Sequence, residues 1–201
     1  MIASARLGSL LALCLIGGGV AVAAIVTLDG ARLSVNGPSQ AELPRATSPL
    51  QLKFEDARGE QRSLAEYRGK AVLLNLWATW CAPCREEMPT LDRLQAKLGG
   101  PDFQVLALSL DRGGADVVRR FYAETGVANL AIFLADTSAV SSAVGLIGLP
   151  TTLLVDPSGR EIGRVVGPAE WDSPVQVSWI RDKLDLSSTV TIETTSEDHP
   201  P

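Results

Sequence analysis

Histidine is almost absent from this chain of 201 residues, and its only histidine, His199, stands near the C-terminus. The central part of the chain therefore has no histidine to complete a Cys/His metal site or to serve as the base of a Ser-His or Cys-His pair. We predict no metal site in the folded domain.

Positive charge is also in short supply. Lys and Arg number 18 against 23 Asp and Glu, which gives a net charge of -5. No basic stripe interleaved with aromatic residues is present, and a protein that tracks phosphates needs one. Nucleic-acid binding is therefore not expected.

Cysteine is scarce, with Cys14, Cys81 and Cys84 as its three occurrences. A secreted disulfide scaffold would need more cysteines, more evenly spread. Cys14 lies in an apolar run, and the preceding Leu11-Ala12-Leu13 has a bulky residue where a lipoprotein signal needs a small one. We interpret Cys14 as a membrane residue, so the chemistry is concentrated in the other two cysteines.

The ends of the chain differ in composition from its middle. Leu7 to Leu28 is a run of 22 residues without a charge, long enough for a transmembrane helix. Arg6 before it favours a cytoplasmic N-terminus, although Ala21 and Ala23 leave a cleaved signal peptide open. We predict a signal anchor at 1–28, a tether at 29–48, a globular domain at 49–186 and a disordered tail at 187–201.

Apolar periodicity within the globular domain alternates between strand and helix patterns. Strands are predicted at 50–54, 71–77, 103–110, 130–134, 151–155 and 161–166, and helices at 63–66, 84–98, 115–125, 138–144 and 175–184. This alternation predicts an α/β fold with a mixed central sheet flanked by helices.

The motif Trp80-Cys81-Ala82-Pro83-Cys84 follows a predicted buried strand and opens a helix, which is the setting of redox dithiols. Unpaired N–H groups and the dipole at a helix N-terminus stabilise a thiolate. Cys81 would attack a client disulfide and Cys84 would resolve the mixed disulfide, with Trp80 restricting access. Two buried thiols without a function are the plain alternative.

The segment from Leu74 to Pro89, LNLWATWCAPCREEMP, resembles the active-site segment of the TlpA/ResA/CcmG group of thioredoxin-like proteins, and TlpA most closely. The resemblance covers about residues 50–184. It implies a thioredoxin-like fold with an N-terminal hairpin extension and a central insertion at about 112–146 that shapes partner choice.

The same resemblance implies roles for particular residues. Pro150 would form a cis peptide bond facing the dithiol, with Pro83 supporting the site, and the Leu149 backbone would pair with an extended client segment. Glu87 would exchange the proton of Cys84, although its helical position alone fits a surface glutamate equally well.

Asn75 departs from ordinary thioredoxins, which have a buried aspartate at this point. Because an amide does not shuttle protons, this difference favours Glu87 as the group that exchanges protons in place of the aspartate.

Motif and resemblance together predict a thiol:disulfide oxidoreductase, specifically an extracytoplasmic protein-disulfide reductase. We expect a single-pass protein of the bacterial inner membrane whose domain faces the periplasm, with no cofactor beyond the redox-active Cys81–Cys84 disulfide. Expected partners are apocytochrome c or oxidase copper-assembly proteins and a membrane electron donor of the DsbD/CcdA type.

Other functions stay open at this point. They are a periplasmic disulfide oxidant, a copper-site assembly factor that binds metal through its thiols, a peroxidase on the same fold, and a non-catalytic interaction domain.

Overall fold

The computed structural model describes the backbone of residues 48–193 and the side chains as far as Asp185. The predicted signal anchor, nearly all of the predicted tether and residues 194–201 lie outside this range. Among residues 48–193, no helix is both long enough and apolar enough to cross a membrane.

Seven strands and four α-helices make up this part of the chain. The strands are β1 (Lys53–Asp56), β2 (Gln61–Ser63), β3 (Ala71–Trp77), β4 (Phe103–Ser109), β5 (Phe133–Leu134), β6 (Thr151–Val155) and β7 (Glu161–Val166). The helices are α1 (Ala82–Leu98), α2 (Ala115–Thr125), α3 (Thr137–Val144) and α4 (Pro174–Glu193), with a 3-10 turn at Leu64–Tyr67.

All seven strands join one sheet in the order β2-β1-β5-β4-β3-β6-β7. β3, β4 and β5 are parallel to one another, whereas β6 is antiparallel to β3, β7 to β6, and β1 to both β2 and β5. The predicted mixed α/β sheet is confirmed, and β1 and β2 form the predicted N-terminal hairpin.

Apolar side chains fill both faces of the sheet, because alternate residues of a strand point to opposite sides. In β3, Leu73 and Trp77 join the cluster formed with α1, α2 and α4, whereas Leu74 and Leu76 join the cluster formed with α3. Every residue of β3 is buried, as expected for a central strand covered on both faces. Because β3 is packed on both faces, the position at which the chain leaves it for α1 is fixed.

Two strands are shorter or displaced relative to the prediction. Leu50 and Leu52 are buried, but pairing begins only at Lys53, so their alternation marks burial rather than a strand. The predicted strand at 130–134 is reduced to Phe133–Leu134. The carboxylate of Asp92 accepts the backbone N–H group of Leu130, together with those of residues 128 and 129. Those donors are therefore not available to a sheet.

The last helix is longer than predicted. α4 continues to Glu193, so residues 187–193 are helical and this part of the predicted disordered tail is wrong. The physical reason is visible in the sequence, since no glycine or proline occurs between Pro174 and Pro200 to end the helix.

Candidate active site

Cys81 and Cys84 lie where β3 passes into α1. Cys81 is the N-cap of α1 and Pro83 stands in the first turn, where its missing N–H leaves no helical bond unmade. The two sulfurs form a disulfide of 2.07 Å. Cys81 keeps 7% of its surface exposed and Cys84 none, so only the first cysteine is accessible to another molecule.

A hydrogen-bonded tether fixes the turn that precedes Cys81. The Asp111 carboxylate accepts the Thr79 backbone N–H at 2.8 Å and the Thr79 hydroxyl at 2.7 Å. The hydroxyl of Ser109, the last residue of β4, donates to the same carboxylate at 2.7 Å. The turn is thus held to the end of the neighbouring strand.

A groove of about 550 Å³ runs beside Cys81, between the start of α1 and the segment that joins α3 to β6. Its lining carries no charged side chain and consists of Trp80, Cys81, Pro83, Leu110, Thr137, Ser141, Leu146, Ile147, Gly148 and Leu149. Trp80 and Ile147 are 70% and 77% exposed, which is unusual for side chains of this size. We refer to these ten residues as the client groove.

The wall of the client groove formed by residues 146–149 is anchored at both ends. Buried Arg164 donates to the Val144 carbonyl at 2.7 Å, and the Thr151 hydroxyl donates to the Gly148 carbonyl at 2.7 Å. The Leu149–Pro150 peptide bond is cis, as the resemblance predicted.

Glu87 lies one helical turn after Cys84 and is buried, with 2% of its surface exposed. Its carboxylate accepts the Asn75 amide at 2.7 Å, the Trp171 indole N–H at 3.0 Å and the Ala169 backbone N–H at 3.1 Å. Burial raises the pKa of Glu87 to about 7, against the lowering effect of these three donors. The alternative of an ordinary surface glutamate is therefore wrong for Glu87, whereas it fits exposed Glu86.

Asn75 lies within β3 and is fully buried. Its amide nitrogen donates both to Glu87 and, at 2.9 Å, to the Thr152 hydroxyl. Asn75 therefore acts as a fixed donor beside the one buried carboxyl of this cluster.

Trp171, Ala169 and Thr152 are members of the site that the sequence does not reveal. Trp171 is fully buried and is 84 residues from Glu87 in the chain. Its backbone N–H donates to the Thr90 hydroxyl, which fixes the loop against α1. A lone tryptophan after a predicted strand normally indicates core packing, so no local signal pointed to this contact.

Within residues 48–193, no group of three or more His, Cys, Asp or Glu side chains is placed to hold a metal ion.

Comparison with known proteins gives a family match that covers Cys81, Cys84 and Glu87. The model of the AhpC/TSA family matches residues 42–160. The thiol-disulfide oxidoreductase ResA of Bacillus thuringiensis subsp. konkukian is 30% identical over 112 residues, which are 56% of this chain and 64% of that protein. ResA of Geobacillus thermodenitrificans is 34% identical over 107 residues, 53% of this chain and 60% of that protein. The chain thus spans less than two thirds of the length of these curated relatives.

Solved structures agree with the fold. A thiol:disulfide interchange protein DsbE from Chlorobium tepidum superposes with a TM-score of 0.61 at 27% identity, covering 71% of this chain and 99% of that one. A DsbF homologue from Corynebacterium diphtheriae gives a TM-score of 0.58 at 23% identity over 74% of this chain and 100% of that one. The predicted thioredoxin-like fold and the resemblance to the TlpA/ResA/CcmG group are confirmed.

Proposed function

The chain belongs to the AhpC/TSA family, and we propose that it is a thiol:disulfide oxidoreductase that reduces protein disulfides through Cys81 and Cys84. One observation carries the proposal: an accessible cysteine is bonded to a buried one at a helix N-terminus, with a buried carboxyl one turn away. The first cysteine reaches the client, and the second is protected from side reactions.

The reduction proceeds in two exchanges. The Cys81 thiolate attacks one sulfur of the client disulfide, forms a mixed disulfide and releases the other client sulfur as a thiolate. Cys84 then loses its proton, and its sulfur attacks Cys81 and displaces the remaining client sulfur. Two electrons pass from the dithiol to the client, and each client thiolate takes up one proton.

Glu87 acts in the second exchange. Cys84 is fully buried and cannot lose its proton directly to bulk water. Residues three apart on a helix lie on the same face, so the Glu87 carboxylate is placed to accept that proton. A pKa of about 7 suits this task, because the carboxylate is both available and basic near neutral pH.

The client binds in the client groove as an extended segment. The backbone of Leu149, at the end of an exposed wall, can pair with such a segment as an added strand. The absence of charged side chains from the groove favours client segments that are apolar around their cysteine.

The cellular setting is proposed from the sequence. The uncharged run from Leu7 to Leu28 would anchor the protein in the bacterial inner membrane with the dithiol on the periplasmic side. There the dithiol needs an external reductant, for which a membrane electron donor of the DsbD/CcdA type is suitable. Apocytochrome c and oxidase copper-assembly proteins are the proposed clients.

Trapping the mixed disulfide tests the proposal. A Cys84→Ser protein lacks the resolving sulfur, so covalent adducts with client proteins should accumulate in cells and disappear on treatment with dithiothreitol. The matched control is the Cys81→Ser, Cys84→Ser double variant, which should form no adduct. If the single variant captures no more protein than the double variant, the exchange function is wrong.

A further inference from the structure

A second opening in the surface leads to Glu87 and is separate from the client groove. It is a cleft of about 390 Å³ between α1 and the segment joining β7 to α4. Its lining includes Glu86, Glu87, Ala169, Glu170, Val175 and Gln176, and it shares no residue with the client groove. We refer to it as the carboxyl cleft.

The separation matters when a client is bound. The sulfur of Cys84 is fully buried, and the client groove beside Cys81 is then covered by the client. Glu87 lines the carboxyl cleft and not the client groove, so a proton that Cys84 passes to Glu87 has a path to water that a bound client does not cover. The carboxyl cleft lies on that path.

Gln176 supplies an independent indication that the carboxyl cleft holds water. Its side chain is 4% exposed, yet its Oε1 atom has no hydrogen-bond partner among the described residues. A buried acceptor without a partner costs about 1–3 kcal/mol, so such atoms are normally satisfied by water. A cleft of 390 Å³ has room for several molecules of about 30 Å³ each.

The charges around Glu87 suit proton exchange rather than a permanent ion pair. Glu86 of α1 and Glu170 of the β7–α4 segment are the exposed acids of the lining, and no lysine or arginine is among the described residues there. Asp172 in the same segment is paired with Arg93 at 2.7 Å. β3 and β6 contribute the neutral side chains of Asn75 and Thr152.

We propose that the carboxyl cleft is the route by which Glu87 exchanges protons with water while a client covers the groove, and that Gln176 holds the water beside the carboxyl. The proposal rests on the proposed function. In each turnover the Cys84 thiol gives its proton to the Glu87 carboxylate, and the carboxyl gives it to water in the cleft. Cys84 keeps its electron pair and uses it to displace the client sulfur from Cys81.

Plugging each opening in turn tests the route. Val175 is 68% exposed in the carboxyl cleft and Ile147 is 77% exposed in the client groove, so each can be replaced by cysteine and alkylated. The full-length oxidised protein, with Cys14→Ser in every sample, is treated with N-ethylmaleimide while the Cys81–Cys84 disulfide protects the active site. It is then reduced with dithiothreitol, which leaves the adduct in place.

The two adducts should affect different quantities. With insulin as the protein substrate, the adduct of Val175→Cys should slow turnover by roughly tenfold and raise the solvent hydrogen isotope effect without changing KM. With the small substrate 2-hydroxyethyl disulfide, which leaves the client groove open, it should have little effect. The adduct of Ile147→Cys should raise KM for insulin and leave the isotope effect unchanged.

Gln176→Leu provides a second test without a chemical adduct. Removal of the amide oxygen should raise the isotope effect and slow turnover of insulin, while Gln104→Leu, at a partly buried glutamine of β4, should do neither. Unfolding curves of both variants establish that they are folded.

The outcomes separate this proposal from the proposed function. If the plugged cleft and Gln176→Leu leave turnover and isotope effect unchanged, the route is wrong although the exchange activity stands. If the unmodified protein reduces neither insulin nor 2-hydroxyethyl disulfide, the proposed function itself is wrong.

Discussion

Glu86 and Glu87 are identical neighbours in the sequence that α1 places in opposite environments. Successive helical residues point about 100° apart, so Glu86 faces solvent while Glu87 faces β3 and the loop before α4. The raised pKa of Glu87 follows from this placement, because burial removes water from its carboxylate.

Trp171 stabilises the charged form of Glu87. We expect Trp171→Phe to raise the pKa of Glu87 further, by about one to two units, because a hydrogen bond to a charged group contributes about 1.5–3 kcal/mol. The measurement is an NMR titration of the carboxyl in the oxidised protein, together with the pH profile of client reduction.

Trp77→Phe is the matched control for that variant. Trp77 is also fully buried, but its indole nitrogen has no hydrogen-bond partner among the described residues. The same substitution should therefore leave the pKa of Glu87 in place. Equal titration curves for the two variants would mean that Trp171 acts by packing and not through its N–H group.

At the scale of elements, Asp92 determines how the chain reaches β5. Three backbone N–H groups and the Asn129 amide donate to this one buried carboxylate. We expect Asp92→Ala to lower the free energy of unfolding by about 3 kcal/mol, since the substitution leaves several donors without an acceptor. Urea unfolding measures the change.

Asp116→Ala is the control for Asp92→Ala. Asp116 is an exposed acid of α2 whose ion pair with Arg119 lies at the surface. Surface pairs contribute about 0–1 kcal/mol, so this variant should remain close to wild type. Similar losses for the two variants would contradict the assigned role of Asp92.

The bounds of some strands and helices can be predicted from sequence patterns alone. The bounds of β3, α2, β6 and β7 are as predicted, because a continuous apolar run or a helical stripe ending at glycine is a local property. β1, β5 and α4 differ from their predicted bounds. The Asp92 side chain binds the backbone that precedes β5, and no glycine or proline ends α4 where its end was predicted.

Within the site, Cys81 and Cys84 could be predicted because they stand three residues apart in one motif. Asn75 and Glu87 were singled out from resemblance, and the structure adds the hydrogen bond between them. Trp171, Ala169 and Thr152 reach the site only through the folded chain, so no spacing in the sequence indicates them.

For the whole molecule, the buried Glu87 makes stability depend on pH. Its pKa is raised from 4.5 in the unfolded chain to about 7 in the folded one, so between these values the folded state binds more protons. The stabilisation from this group is fully present below pH 4.5 and is lost as the pH rises through 7.

Glu87→Gln removes that dependence. We expect the variant to gain stability relative to wild type as the pH rises from 4.5 to above 7, by about 3 kcal/mol in total. Its amide nitrogen can donate to the Asn75 Oδ1 atom, which has no partner among the described residues. Urea unfolding of both oxidised proteins across this range measures the difference, and a constant difference would contradict the assigned pKa.

The anchored wall of the client groove has a consequence for how clients bind. Because Arg164 and Thr151 hold the two ends of residues 146–149, the wall is already ordered before a client arrives. Fixing a mobile backbone residue costs about 1–2 kcal/mol of conformational entropy. The wall therefore loses little conformational entropy when a client binds, and most of the entropy loss falls on the client. Flexible or partly unfolded clients lose the most entropy.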